Sequence, residues 1–350
     1  MKRFLLPALL LLSTSVLAAP FSEAALRTYV ERSLQACPGS KVQIEPVAKS
    51  GPTNFKVWKV VQTSDAPACG SQSLAIVSEK TGQVILGNMW ILPQDGRPLQ
   101  TVLSDFGSQL LQNQATAKIS PSALTDGIVE VKMTRSTPEG PLSLTGWLDA
   151  SKRFFIVGKR GPIGSDPRNR MKSTLTKGLP ASGNSTAKVS VIEVSDFQCP
   201  ACRVAHQRLK PLFNRNAARI EFVRVDFPLF ENNDWAFEAA MAARAVQHEA
   251  PNAYWDFVDY MFDRQVMLSR GNIERTIREF AEEHDLDWSR IESFSRSKEE
   301  RQKLVDQVGL LFDLGMYGTP TFLIDGQVID RSDGGAFFNE MLRARVGSKD

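Results

Sequence analysis

Residues 189–213 constrain this chain more than any other stretch. They begin Val189-Ser190-Val191-Ile192-Glu193-Val194-Ser195-Asp196-Phe197-Gln198-Cys199-Pro200-Ala201-Cys202 and run on through Val204 and Leu209 to Leu212 and Phe213. An apolar, β-branched run ends in a short polar turn. A Cys-x-x-Cys pair then opens a helical pattern. The reading is strand, turn, helix, with both thiols at the helix start. Far downstream, Gly318-Thr319-Pro320-Thr321-Phe322-Leu323-Ile324-Asp325-Gly326 places a proline directly ahead of an apolar strand that Asp-Gly closes. We expect the two stretches to face each other and form one redox site.

The position of Cys199 has chemical consequences. It falls where an N-cap falls, with Pro200 at the first helical position. Unpaired N–H groups and the helix dipole aim positive charge at its sulfur, which favours the thiolate. Cys202 lies one turn in, more buried and less polarised. Cys199 is therefore the expected nucleophile, and Cys202 the thiol that resolves the mixed disulfide. Two other readings use the same residues. A zinc site would draw on Cys199, Cys202 and His206, with His248 or His284 as a distant fourth ligand. An inert structural disulfide is the other. Proline inside a pair at a strand–turn–helix junction argues against both, so no metal and no cofactor is expected.

Glu193 interrupts a strand otherwise written for burial. A carboxyl beneath the pair would relay protons to Cys202, and burial would raise its pKa. A solvent-facing edge glutamate is the bland alternative. His206, two turns into the helix, suits a packing or surface role. Thr319-Pro320 needs a reason for proline just before a strand. A cis bond there would leave the Thr319 backbone free to pair with a substrate strand beside Cys199.

The first residues supply the compartment. Lys2 and Arg3 precede an apolar run from Phe4 to Leu12, and Val16-Leu17-Ala18 offers a cleavage point. This reads as a secretory signal peptide over residues 1–18, hence export to a periplasm. A membrane anchor is the alternative, but the run is well short of the roughly 20 residues that span a bilayer. In an oxidising space cysteine pairs become disulfides. The simplest scheme joins Cys37 to Cys69 and Cys199 to Cys202, one of three connectivities open to four cysteines. A Cys37–Cys69 bridge reads as structural, worth about 3–4 kcal/mol in the chain-entropy model. A second exchanging pair is the other reading.

With 350 residues the chain has room for two domains. Its formal charge of +3 is scattered and does not suggest nucleic acid. Residues 21–36 carry helical spacing. Strand-like runs follow at 41–47, 55–61, 74–78 and 84–86, then a helix at 99–111 and strands at 128–133, 142–148 and 154–157. Ser78-Glu79-Lys80-Thr81-Gly82-Gln83-Val84-Ile85-Leu86-Gly87 resembles Leu148 through Gly158: strand, charged turn, apolar strand, terminal glycine. We read two tandem helix-plus-antiparallel-sheet units within an α+β N-terminal domain at 19–160, for substrate binding or dimerisation. Two unrelated hairpins would be the simpler account. Residues 161–187 have linker composition, with a short basic helix at 168–179. The redox domain then occupies 188–350. Its order is strand, helix, strand, helical block, two strands and helix, which is a thioredoxin-like α/β fold with a helical insertion.

Glu193 through Cys202, Ala253-Tyr254-Trp255-Asp256-Phe257, and Leu314 through Phe322 together resemble the exported DsbA-like branch of the thioredoxin superfamily, over about residues 188–348. The resemblance implies a nucleophilic Cys199, a resolving Cys202, a buried acid at Glu193 and a cis Thr319–Pro320 bond. Leu86-Gly87-Asn88-Met89 is similar to the dimerisation module of the DsbC and DsbG isomerases. That implies a homodimer, unless the doubled module replaces one. The Pro200-Ala201 interior matches neither the Pro-His of strong oxidases nor the Gly-Tyr of DsbC, and Thr319 leans toward isomerase or reductase.

The leading expectation is a periplasmic thiol–disulfide oxidoreductase of isomerase or reductase type. It would act on exported cysteine-containing proteins and be recycled by a membrane redox partner. A dithiol oxidase and a redox-inactive chaperone or binding module are the alternatives.

Overall fold

A computed structural model describes residues 21–47, 51–66, 69–332 and 334–347. The expected signal peptide and its cleavage point lie outside the described residues. The N-terminal half is one eight-stranded antiparallel sheet made by two units of identical order. The first is α1 (Glu23–Ser33) followed by β1 (Lys41–Pro46), β2 (Phe55–Thr63), β3 (Ser71–Ser78) and β4 (Gln83–Ile91). The second is α2 (Leu99–Leu110) followed by β5 (Ala115–Ala123), β6 (Val129–Thr137), β7 (Gly140–Leu148) and β8 (Phe154–Pro162). Each unit is a meander, and the two join through their last strands in the order β1-β2-β3-β4-β8-β7-β6-β5.

The tandem units expected from the two hairpins are therefore present, placed edge to edge about the β4–β8 pairing. Alternation along the strands supplies the reason. Trp58, Val60, Ala75, Val77, Val84 and Leu86 bury against Leu26, Tyr29 and Val30 of α1. Ala117, Val131, Met133, Leu148 and Phe155 bury against Val102 and Leu103 of α2. Strand β5 was not expected from its small and polar sequence. It is an edge strand, and hydroxyls of α2 satisfy its outer N–H groups: Ala115 N donates to Ser108 Oγ at 2.9 Å and Ala117 N to Ser104 Oγ at 3.0 Å.

The C-terminal half holds a five-stranded mixed sheet of order β13-β12-β10-β11-β9. It comprises α3 (Pro167–Thr176), β9 (Ala181–Gly183), β10 (Val189–Ser195), α4 (Pro200–Arg215), β11 (Ile220–Asp226), α5 (Ala236–Glu249), α6 (Tyr254–Arg264), α7 (Ile273–Glu283), α8 (Trp288–Arg296), α9 (Lys298–Asp313), β12 (Thr321–Ile324), β13 (Gln327–Ile329) and α10 (Ala336–Val346). Central β10 pairs in parallel with β11 and antiparallel with β12, so it is buried along its whole length. This is the thioredoxin-like α/β core, and α5 to α9 are the helical insertion.

The structure differs from the expectation at 161–187. That stretch is folded, not an open linker. It contains α3, and β9 pairs with β11 as an edge of the second sheet. Gly164, Gly178 and Pro180 lie between these short elements, while Gly161, Pro162, Pro167 and Gly183 lie within β8, α3 and β9; the helix was expected, and the three-residue strand was not.

The two halves are packed together. Ala36 forms a parallel bridge with Ile329, donating to Val328 O at 2.8 Å and accepting from Asp330 N at 2.9 Å. Helix α9 lies on β7, where Leu142 packs among Leu304, Val305 and Val308. A disulfide joins Cys37 to Cys69, with Cα atoms 6.1 Å apart.

Candidate active site

Strand β10 ends at Ser195, and the turn Asp196–Gln198 delivers Cys199 to the N-cap of α4 with Pro200 at the first helical position. Asp196 holds that turn. Its buried carboxylate accepts from Gln198 N at 2.7 Å, Leu229 N at 2.9 Å and Asn233 Nδ2 at 2.6 Å. From the other side the Gln265 amide donates to Phe197 O at 2.6 Å and to Cys199 O at 3.0 Å.

Both active-site thiols are free, Cys199 half-buried and Cys202 fully buried. The Cys199 thiol is lowered to about 6. Its hydrogen bond with Cys202 is the largest cause. Thr319 and the N–H groups of Cys202 and Ala201 add to it, and partial burial opposes it. The Cys202 thiol is pushed up by burial, then by its bond to Cys199 and the nearby Glu193 charge. One sulfur is thus half-buried and readily ionised, the other enclosed and protonated.

Thr319–Pro320 is a cis peptide, and the Cys199 thiol meets the Thr319 carbonyl at 3.6 Å. The two stretches singled out by sequence therefore converge: β12 pairs with β10, setting Thr321 opposite Val194. Glu193 is fully buried, not a solvent-facing edge residue, and neither carboxylate oxygen has a hydrogen-bond partner among the described residues. Burial raises its pKa, while the His206 and Arg224 charges act in the opposite direction.

Sequence reasoning missed Arg224. In the parallel register it sits opposite Glu193, yet its guanidinium pairs with Asp226, reaches Ser195 O at 3.5 Å and lies 3.7 Å from the Phe197 ring centroid. The signal was a charge set between Val223 and Val225 in strand Ile220–Asp226, a weaker form of the one that had marked Glu193, because Glu221 and Asp226 lie in the same strand. Gln265 gave no sequence signal, because only the tertiary fold brings it to the turn. His206 is buried, stacked on Phe262 and bonded through Nε2 to Asp259 at 2.7 Å, a packing role.

A groove of about 740 Å³ opens beside the α4 N-terminus. Pro200, Ala201 and Val204 line one side, Met316, Tyr317 and Pro320 another, and Gln35 of the N-terminal half reaches it. Exposed Tyr317, Val266 and Met267 present apolar surface on the loops around the pair. The arrangement can accept an extended chain against Thr319 while Cys199 attacks or receives a sulfur.

Residues 176–343 match the family model described as Thioredoxin. Disulfide bond formation protein D of Bacillus subtilis is 31% identical over 94 residues, 25% of this chain and 40% of that protein. A protein named Na(+)/H(+) antiporter NhaA 3, from Salinispora tropica, is 28% identical over 166 residues, 47% of this chain and 24% of that protein. The chain thus spans well under half the length of either relative. The oxidised crystal structure of BdbD from Bacillus subtilis superposes with a TM-score of 0.44 at 22% identity, over 49% of this chain and 95% of that one. Among the described residues no helix is long and apolar enough to cross a membrane. Residues 176–343 form a thioredoxin-like domain, and within it this chain is similar to the disulfide bond formation proteins.

Proposed function

We propose that this chain is an exported, periplasmic thiol–disulfide oxidoreductase that acts on cysteine-containing proteins, with Cys199 exchanging with substrate and Cys202 resolving the mixed disulfide. The observation that carries this reading is the asymmetry of the pair: a half-buried thiol lowered to about 6 beside a buried thiol pushed up. In the reaction the Cys199 thiolate attacks a substrate disulfide. One substrate sulfur leaves with a proton, and Cys202 then loses its proton and displaces the other. Two electrons pass from the pair to the substrate. Oxidation of a substrate dithiol is the same sequence in reverse. Glu193 is the group beneath the pair that takes up or returns the Cys202 proton. We take residues 19–160 as the substrate-holding module and 188–350 as the redox module, recycled by a membrane redox partner.

Two directions have support. The added N-terminal module, whose Gln35 reaches the groove, favours the isomerase or reductase type. The stabilised Cys199 thiolate favours the reduced form of the pair, and so a disulfide donor, and the relative from Bacillus subtilis is named for disulfide bond formation. Refolding of a scrambled-disulfide protein tests the reading as a whole. Loss of isomerisation and oxidation in Cys199→Ser is expected; full activity of that variant would overturn it. A reduction potential near about −120 mV marks the donor, and one far lower the reductase or isomerase. Suppression of aggregation by the double Cys→Ser variant, with no exchange in the native protein, would instead mark a chaperone.

A further inference from the structure

The eight-stranded sheet forks. Strands β7 and β8 pair only at Trp147 with Ile156 and Leu148 with Phe155, whereas β4 and β8 pair from Gln83–Pro162 through Ile91–Phe154. Beyond Trp147 the arms separate, and the C-terminal half enters between them. Thr145, paired with Lys132 of β6 but not with β8, donates its N–H to Asp313 Oδ1 at the end of α9 at 2.9 Å. A cavity of about 490 Å³ lies in the fork, bounded by β8, α1 and α3 on one side and by β6, β7 and the end of α9 on the other.

The charges lining it are sorted by side. On the β8 side are Arg32, Lys159, Arg160 and Arg170. Arg32 is matched by Asp166 at 2.9 Å and Arg160 by Asp126 at 2.7 Å. Lys159 and Arg170 have no carboxylate among the described residues. The Lys159 ammonium donates to Ser33 O at 2.9 Å, and the Arg170 guanidinium to the Tyr29 hydroxyl at 2.9 Å and to Arg160 O at 3.5 Å. Gly161 makes room for that guanidinium, since a Cβ there would lie 1.5 Å from its Nη1. On the opposite side are two carboxylates, Glu130 and Asp313, and neither has an ion-pair partner among the described residues. Asp313 is raised by burial and also by Glu130, with the Thr145 hydrogen bond and the Lys132 charge opposing, while burial lowers the Lys159 ammonium to about 8. Both cations and both acids are thus half-buried and, among the described residues, without an ion-pair partner, facing each other across a cavity walled by Trp147.

We propose that this interdomain cavity binds a short peptide by its two free ends, carboxylate to Lys159 and Arg170, ammonium to Glu130 and Asp313. A lone anion would leave the acids unmatched, and a lone cation would leave Lys159 and Arg170 unmatched. A zwitterion satisfies both sides, and the volume suits two or three residues rather than one free amino acid. Val328 lines both this cavity and the Cys199 groove, but the four charged residues line this cavity and not the groove, and the proposal does not depend on the redox reading.

The test uses the full chain and a pool of unblocked dipeptides and tripeptides, with N-acetylated and C-amidated versions of the same pool. The unblocked pool should raise the Tm by about 3 °C or more when it saturates the site. Each blocked pool should lose most of that rise. Lys159→Met should weaken binding about tenfold or more, and Glu130→Gln likewise. Glu130 is half-buried on a strand, so its variant stays informative if Lys159→Met does not fold. Both variants should keep native exchange at Cys199. No shift with the unblocked pool, or equal shifts with blocked pools, would overturn the proposal.

Discussion

Gly87 and Gly158 lie directly opposite each other at the middle of the strands that join the two N-terminal units. Each is the central residue of its strand, and the pairing around them is symmetric, from Gln83 opposite Pro162 to Ile91 opposite Phe154. The two units are therefore related by a pseudo-two-fold axis that passes between these glycines. A dimer of single modules would place such an axis between two chains. Here both modules are in one chain, so the seam is covalently provided for.

Contact at that seam leaves no room for a side chain. A Cβ on Gly87 would stand 2.1 Å from Val157 O and 2.6 Å from Gly158 Cα. Gly87→Val should destabilise the chain by about 2–3 kcal/mol, the range for overpacking a tight interior. Urea unfolding measures this. An unchanged midpoint would show that the strands tolerate separation at the axis.

Much of this was legible in local pattern. The redox strand–turn–helix, the paired hairpins ending at Gly87 and Gly158, and the helices from Ala236 to Asp313 all carry strong period or capping signals. What escaped notice depends on tertiary pairing. The three residues of β9 are a strand only because β11 is beside them, and β5 only because Ser104 and Ser108 hold its outer N–H groups. Arg224 and Asp226 share one face of β11 at a two-residue spacing, but their burial and the Gln265 clamp depend on the tertiary fold. Glu193 was visible because a charge in an apolar strand stands out; that it lacks a hydrogen-bond partner was not.

The lowered Cys199 thiol makes reactivity and stability depend on pH. Alkylation of reduced protein by iodoacetamide should reach half its maximal rate near pH 6 and involve Cys199 first. The folded pKa lies below the free-thiol value of 9.0, so ionisation stabilises the reduced fold. That contribution is complete above pH 9 and lost as pH falls through 6. The Tm gap between reduced native protein and Cys199→Ser should therefore move in favour of the native protein between pH 6 and pH 9. A gap constant with pH would mean that the fold does not stabilise the thiolate.

Glu193 acts through Cys202. Replacing it by Gln removes the negative charge that helps to hold the Cys202 thiol up, and also removes the proton acceptor below it. The Cys202 pKa should fall, while release of the mixed disulfide should slow by about 10–10²-fold. Stability should move the other way. Burial raises the Glu193 pKa, so its protonated form favours folding, and that gain is lost as pH rises above the folded value. Glu193→Gln should be more stable than the native chain at pH 8 and no more stable at pH 4. Stopped-flow release kinetics and thermal unfolding at both pH values check the two effects; a slow release with no pH-dependent stability change would leave only a positional role for the side chain.

Arg224 should be the most costly polar residue to remove. It is fully buried, and the Asp226 charge keeps its guanidinium ionised despite the burial. Arg224→Met would leave buried Asp226 with Arg244, whose Nε is 3.8 Å away, as its one ion-pair partner among the described residues. A loss of about 3–5 kcal/mol is expected, the range for breaking one side of a buried ion pair. Arg224→Met with Asp226→Leu should recover much of it, because two apolar residues need no counter-charge. Phe197 also loses its stacked cation, so the turn carrying Cys199 should loosen and hydrogen exchange at Gln198 and Cys199 should speed up in both variants. Recovery of stability without recovery of slow exchange would separate the two duties of Arg224, neutralising Asp226 and bracing the turn. Recovery of both would assign everything to the ion pair.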